Sequence, residues 1–342
     1  MSKNAFGKSK KSKKKGSSIG RFAVGAGVAG AALGLLYELG MQEAFKLAFT
    51  TKKSLLGKAL SGNTLFFVPK EHTQWLEERT EADGMEIVHM TSFDGLKLVG
   101  HYFHGGNAKR VILMMHGWRG RWKGDFGQIA HYMHGMECDL LIVEERAQGE
   151  SEGEYMTFGV LESRDCVDWT HFLEERTDLP IYLYGVSMGA ATVLTASGNS
   201  GLSQQVAGVI ADCGFTSPRA IIEKVAGSIS PLVKLMVNPV NRRCRSMAGW
   251  SMDDDSAIQA MGRVKVPVFF AHGSGDEFVP LAMAEANYEA CIAPKHLFIA
   301  EGANHGESFV KEHDRYLREM WDFFGWDEVP IPQVELSQGA EA

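Results

Sequence analysis

Ser187 stands in the segment G-V-S-M-G at 185–189, between the β-prone run P-I-Y-L-Y and the small-residue stretch A-A-T-V-L-T-A-S. Gly-x-Ser-x-Gly between a strand and a helix predicts a sharp turn that lifts the serine hydroxyl above a sheet. The flanking glycines are needed because side chains there would strike the neighbouring strand and helix. A lone serine hydroxyl is a weak nucleophile and requires a positioned base, itself oriented by an acid. In this arrangement the expected chain order is serine, acid, histidine. Asp276 follows the apolar run V-P-V-F-F-A-H at 266–272, and His305 follows H-L-F-I-A at 296–300. Both loops leave strands at the edge that carries Ser187, which makes Asp276 and His305 the candidate acid and base. Glu277 is an alternative acid, disfavoured because adjacent side chains point apart. Attack on a carbonyl also needs two backbone donors for the developing oxyanion. Met188 supplies one N–H directly after the serine. Trp118, in H-G-W-R-G at 116–120, is the candidate for the second, with Gly117 as the alternative. The Trp118 ring could also wall a substrate pocket.

Loops of this kind must hang from a sheet, and short β-rich runs recur at 85–91, 96–103, 110–115, 139–144, 180–185, 206–211, 266–271 and 296–300. Asp94-Gly95 marks a hairpin turn between the first two. Later runs alternate with helical stretches at 125–135, 162–175, 188–198 and 308–324. That alternation predicts an α/β fold, a mostly parallel eight-stranded sheet with helices on both faces and an antiparallel hairpin at one edge. Residues 42–64 read as a helical connector, and 326–342, with two prolines, four acids and no base, as a disordered tail.

The chain has 342 residues, 45% apolar and 23% charged, which excludes a disordered, collagen-like or polytopic membrane protein. Its net charge of −7 divides unevenly. Residues 1–21 hold seven lysines and Arg21 without an acid, leaving 27 basic against 42 acidic residues for the remainder. An acidic body argues against nucleic acid as a partner. Five cysteines without a C-x-x-C pair suggest buried thiols rather than a disulfide framework or a zinc site. His131 and His134 share a helix face, His101 and His104 lack metal partners, and His272 ends a strand, so all five read as structural. Nothing requires a cofactor or a metal. From Phe22 to Tyr37 the chain is uncharged and rich in Ala and Gly, and 22–41 is a candidate membrane anchor. A Lys-rich head at 1–21 would then be cytoplasmic and the body outside. A cleaved signal peptide and a soluble or surface-lying helix, with a cytoplasmic protein, are the other readings.

Taken together, H-G-W-R-G at 116–120, G-V-S-M-G at 185–189, H-G-S-G-D-E-F-V-P at 272–280 and G-A-N-H-G at 302–306 resemble the α/β-hydrolase superfamily over roughly 65–325. Within it the chain is similar to a bacterial membrane-associated branch near the serine aminopeptidase-like and prolyl-oligopeptidase-like hydrolases. The resemblance implies a triad of Ser187, Asp276 and His305, and a small helical cap over 214–262. In the cap, Leu235, Met236 and Trp250 either line an acyl pocket or pack the cap down. Arg119, Arg121 and Lys123 either favour an anionic substrate or form a solvated basic loop. Residues 145–153, E-R-A-Q-G-E-S-E-G, depart from the superfamily's usual D-x-R-G-x-G-x-S-x-G, which bears on substrate rather than on the triad. The implied activity is a serine hydrolase acting on a small-molecule ester or acyl substrate. Peptide cleavage comes second and thioester or lipid deacylation third. A non-catalytic binding protein at a membrane is the rival from another class.

Overall fold

A computed structural model of the chain describes residues 38–51, 70–81 and 84–326. Eight strands form one sheet: Met85–Thr91 (β1), Lys97–Phe103 (β2), Arg110–Met115 (β3), Cys138–Glu144 (β4), Ile181–Val186 (β5), Val206–Asp212 (β6), Val268–Gly273 (β7) and Lys295–Ala300 (β8). Their order is β1-β2-β4-β3-β5-β6-β7-β8. β1 and β2 pair antiparallel, as do β2 and β4, and every other pair is parallel. The pattern of burial explains which strands sit where. Every residue of R-V-I-L-M-M in β3 and C-D-L-L-I-V-E in β4 is buried, as expected for strands covered on both faces. At the edge, β1 mostly alternates exposed and buried residues.

Alternate side chains of the central strands feed two cores. Val111, Leu113 and Met115 pack with Leu141, Val143 and Trp169 on one face; Ile112, Met114, Leu140, Ile142 and Tyr184 pack with Phe126 and Tyr316 on the other. Register then aligns the ends of the strands. Met115 pairs with Gly185, Val186 with Asp212, Asp212 with Ala271, and Gly273 with Ala300. The loops after β3, β5, β7 and β8 therefore all open at one edge.

A third core roofs that edge. Met41, Phe45 and Phe49 lie four apart on a helix over 38–49 and pack with Val237, Val240, Cys244, Trp250 and Met252. The region expected as a cap carries the helices Pro218–Ile229, Pro231–Lys234 and Val237–Ala248. The basic head, residues 22–37 of the candidate anchor, most of the connector and residues 327–342 lie outside the described residues. Among the described residues no helix is long and apolar enough to cross a membrane. Trp326 does not begin a loose tail. It is buried against Tyr182 and Phe324, and the Arg110 guanidinium lies 4.3 Å from its ring centroid. All five cysteines are buried free thiols.

Candidate active site

Ser187 joins β5 to the helix Met188–Ser197 with φ 56° and ψ −112°, a left-handed conformation that costs a non-glycine residue on the order of 1–3 kcal/mol. The glycines beside it allow the turn. A methyl group on Gly185 would run into the Gly189 carbonyl, and one on Gly189 into that of Met115. The Ser187 N–H donates to the Asp212 carbonyl at 2.8 Å, which ties the elbow to β6. So held, the Ser187 hydroxyl lies 2.9 Å from His305 Nε2, and His305 Nδ1 lies 2.7 Å from Asp276 Oδ2. With Nδ1–H given to the carboxylate, Nε2 is left to accept the serine proton.

Asp276 is fixed in turn. Its Oδ1 accepts the N–H groups of Phe278 at 2.9 Å and Val279 at 2.8 Å. His272 Nε2 lies 2.8 Å from the Val279 carbonyl and 3.3 Å from Asp276 Oδ2, so this strand-end histidine buttresses the acid. Burial alone would push the Asp276 carboxyl up; hydrogen bonds from His272 and His305 outweigh it and hold the group below the usual carboxylate range. Glu277 is exposed and outside the relay.

The loop after β3 faces Ser187 from the other side. Asp125 Oδ2 accepts the Gly117 N–H at 2.7 Å, so that amide is committed below the loop and Trp118 is the free candidate donor. Met188 opens its helix, where the first N–H groups have no intrahelical acceptor. Trp118 borders an apolar cluster around Ser187 built from Met188, Ala191, Phe215, Ile221 and Val279, with Phe158 and Phe278 at its margin. The three cap residues expected beside it are elsewhere. Leu235 is 73% exposed, and Trp250 is buried in the roof with its ring 5.3 Å from that of Phe49. Met236 packs in that same roof core. The helix Val237–Ala248 turns its apolar side to the helix at 38–49, which draws Met236 and Trp250 away from the serine. Arg119 is not free for an anionic substrate, since its guanidinium bonds carbonyls of Leu47 and Thr50.

Several residues that position the site had no signal in the sequence. Asp212, at the end of β6, accepts the Ser308 hydroxyl at 2.8 Å, and burial pushes its carboxyl up to about 6. Segment 145–153 is built around a buried pair: Arg146 donates Nε and Nη2 to Asp165 at 2.6 Å each. Next to it, burial and the neighbouring acids Glu162 and Asp165 keep Glu145 protonated well above the usual range. His116 accepts the Glu145 N–H at 3.1 Å, and His101 pairs with Glu144 at 3.0 Å. His131 stacks on Trp75. Among the described residues, one group could offer three metal ligands: Cys213, Asp276 and His305. Two of these are already bonded to each other, and burial keeps the Cys213 thiol protonated.

Sheet order, elbow and loop positions define the α/β-hydrolase fold. No family model matches it. Among curated proteins it is similar to the uncharacterized protein YqkD of Bacillus subtilis, 27% identical over 201 residues, 56% of this chain and 65% of that one. It is also similar to the monoglyceride lipase of Mus musculus, 29% identical over 117 residues, 33% of this chain and 38% of that one. The match thus spans less than two thirds of either relative. Among solved structures, the Pyrococcus furiosus esterase Pf2001 superposes with a TM-score of 0.57 at 18% identity, over 72% of this chain and 94% of that one.

Proposed function

We propose that the chain is a serine hydrolase that cleaves carboxylic esters through an acyl-enzyme on Ser187. One observation carries the reading: an unbroken relay of hydrogen bonds from Asp276 through His305 to Ser187, opening on an apolar cluster. Ser187 Oγ attacks the ester carbonyl while His305 Nε2 takes its proton, and Asp276 stabilises the imidazolium that forms. The N–H groups of Met188 and Trp118 receive the oxyanion. Collapse of the tetrahedral species expels the alcohol with the proton held on His305. Water then attacks the acyl-enzyme with His305 as base, and Ser187 is regenerated.

Esters are favoured over peptides because the cluster of Met188, Ala191, Phe215, Ile221 and Val279 is apolar and suits an acyl chain. Similarity to proteins named as a lipase and an esterase supports the class. Hydrolysis of p-nitrophenyl esters of graded acyl length, set against aminoacyl amides, tests it. Turnover should be fastest on the esters; preference for the amides, or folded protein inert to every ester, would overturn it. Of the candidate anchor at 22–41, residues 38–41 belong to the roof helix and Met41 is buried there. A membrane tether through residues 22–37 is therefore a separate proposal resting on their sequence, and release into the soluble fraction by high salt alone would contradict it.

A further inference from the structure

The helix over 38–49 lies outside the sheet, yet its end is bonded to the candidate active site. An α-helix leaves its last carbonyls without intrahelical donors. Here those groups are met in succession by the loops around Ser187. The Leu47 carbonyl accepts from Arg119 Nη2 at 3.0 Å, Ala48 from Trp118 Nε1 at 2.8 Å, Phe49 from the Met156 N–H at 2.8 Å, and Thr50 from Arg119 Nη2 at 2.6 Å. A guanidinium at a helix C-terminus also opposes the negative end of the dipole. The same Arg119 has φ 56°, a conformation a non-glycine residue keeps only when its surroundings enforce it. From below, Asp125 fixes Gly117. Between these two holds lies the amide of Trp118, the candidate oxyanion donor.

We infer that Arg119 is a positioning residue: by clamping the end of the helix at 38–49 it sets the Trp118 N–H against the oxyanion, making that helix part of the active site. The inference rests on the serine-hydrolase reading. The clamp acts on charge that exists only in the transition state, so its loss lowers kcat and leaves KM in place. Phe45 anchors the helix in the roof core, its ring 5.6 Å from that of Tyr155, and has no contact with Trp118 or Arg119 of its own, so loosening it acts through the same helix.

The test compares full-length wild type with Arg119→Gln, Arg119→Lys, Phe45→Ala and the exposed cap control Leu232→Ala. Ester turnover is measured per active site, with inhibition by an alkyl trifluoromethyl ketone, whose hemiketal oxyanion occupies the same donors. Arg119→Gln and Phe45→Ala should lower kcat about tenfold or more with KM within twofold, and weaken the ketone by a similar factor. Arg119→Lys, which keeps the charge but not the fork, should recover part of the loss. Leu232→Ala should match wild type. Unchanged turnover per site and unchanged ketone affinity in both Arg119→Gln and Phe45→Ala, beside an active wild type, would overturn this inference alone. An inert wild type would overturn the hydrolase reading and this inference with it.

Discussion

The two amides that flank Ser187 are held in different ways. Met188 is placed by the chain itself: a strand, a strained serine and a helix start in consecutive residues, with two glycines clearing the space. Trp118 is placed from outside its own turn: the nearby Asp125 carboxylate holds the Gly117 N–H, and the Ala48 carbonyl at the end of the helix at 38–49 accepts the Trp118 ring N–H. The first arrangement belongs to the sheet and its rigid cores. The second joins the sheet to a roof whose apolar cluster is separate from them. Ser187, His305 and Asp276 lie on the sheet side, so the proposed chemistry is anchored there and the proposed clamp from the roof would tune it.

That contrast orders the expected effects. Ser187→Ala and His305→Ala should each cut ester turnover by about ten-thousandfold or more, measured as kcat/KM on the best p-nitrophenyl ester, while leaving the folded sheet intact. Asp276→Asn should come close, because the imidazole would lose the partner that fixes its tautomer. An Asp276 variant with near-normal rate would move the acid elsewhere. On the other amide, Asp125→Ala should lower kcat by about a hundredfold with little change in KM, by releasing Gly117 and the loop above it. If kcat holds, the loop needs no support from below.

Phe49→Ala addresses the roof directly. Removing a fully buried ring should cost about 3–5 kcal/mol locally. Amide exchange should quicken over 38–51 and 237–252 while β3 to β7 stay protected. Equal loss of protection across the sheet would mean that roof and body unfold as one unit and would erase the distinction. The smallest effect concerns pH. The Asp212 carboxyl is raised from 3.8 to about 6 by burial, so the folded state favours its neutral form. Its contribution to stability is whole below about pH 4 and is lost as pH rises through about 6. Asp212→Asn, which stays neutral, should therefore be more stable than wild type above pH 7 by up to roughly 3 kcal/mol, and the gap should close below pH 4. Chemical denaturation of both proteins across that range measures it.

What was legible in the sequence follows the same line. Buried parallel strands need unbroken runs such as V-I-L-M-M and L-L-I-V, and the antiparallel edge pair is marked by the Asp94-Gly95 turn, so all eight strands stood out within a few residues of their ends. Ser187, Asp276 and His305 were readable because each lies in a loop or turn that leaves a strand at one sheet edge, where topology brings them together. Side-chain partnerships across long separations leave no such pattern. Nothing near Trp118 or Arg119 announces that they bond a helix about seventy residues earlier. The cap shows the limit from the other side. Apolar Leu235, Met236 and Trp250 are visible as a group, yet which surface covers each depends on the helix at 38–49, and one of them is covered by nothing described. His272, which reads as a structural strand end, buttresses the acid because β7 ends beside its own loop.

The central claim is that Ser187 is a nucleophile activated by its relay. Intact-mass analysis of the full-length protein after exposure to a fluorophosphonate tests it most directly. A single adduct that maps to Ser187, disappears in Ser187→Ala and forms far more slowly in His305→Ala is the expected result. Folded wild type that takes no adduct, or takes it equally in Ser187→Ala, would contradict the account.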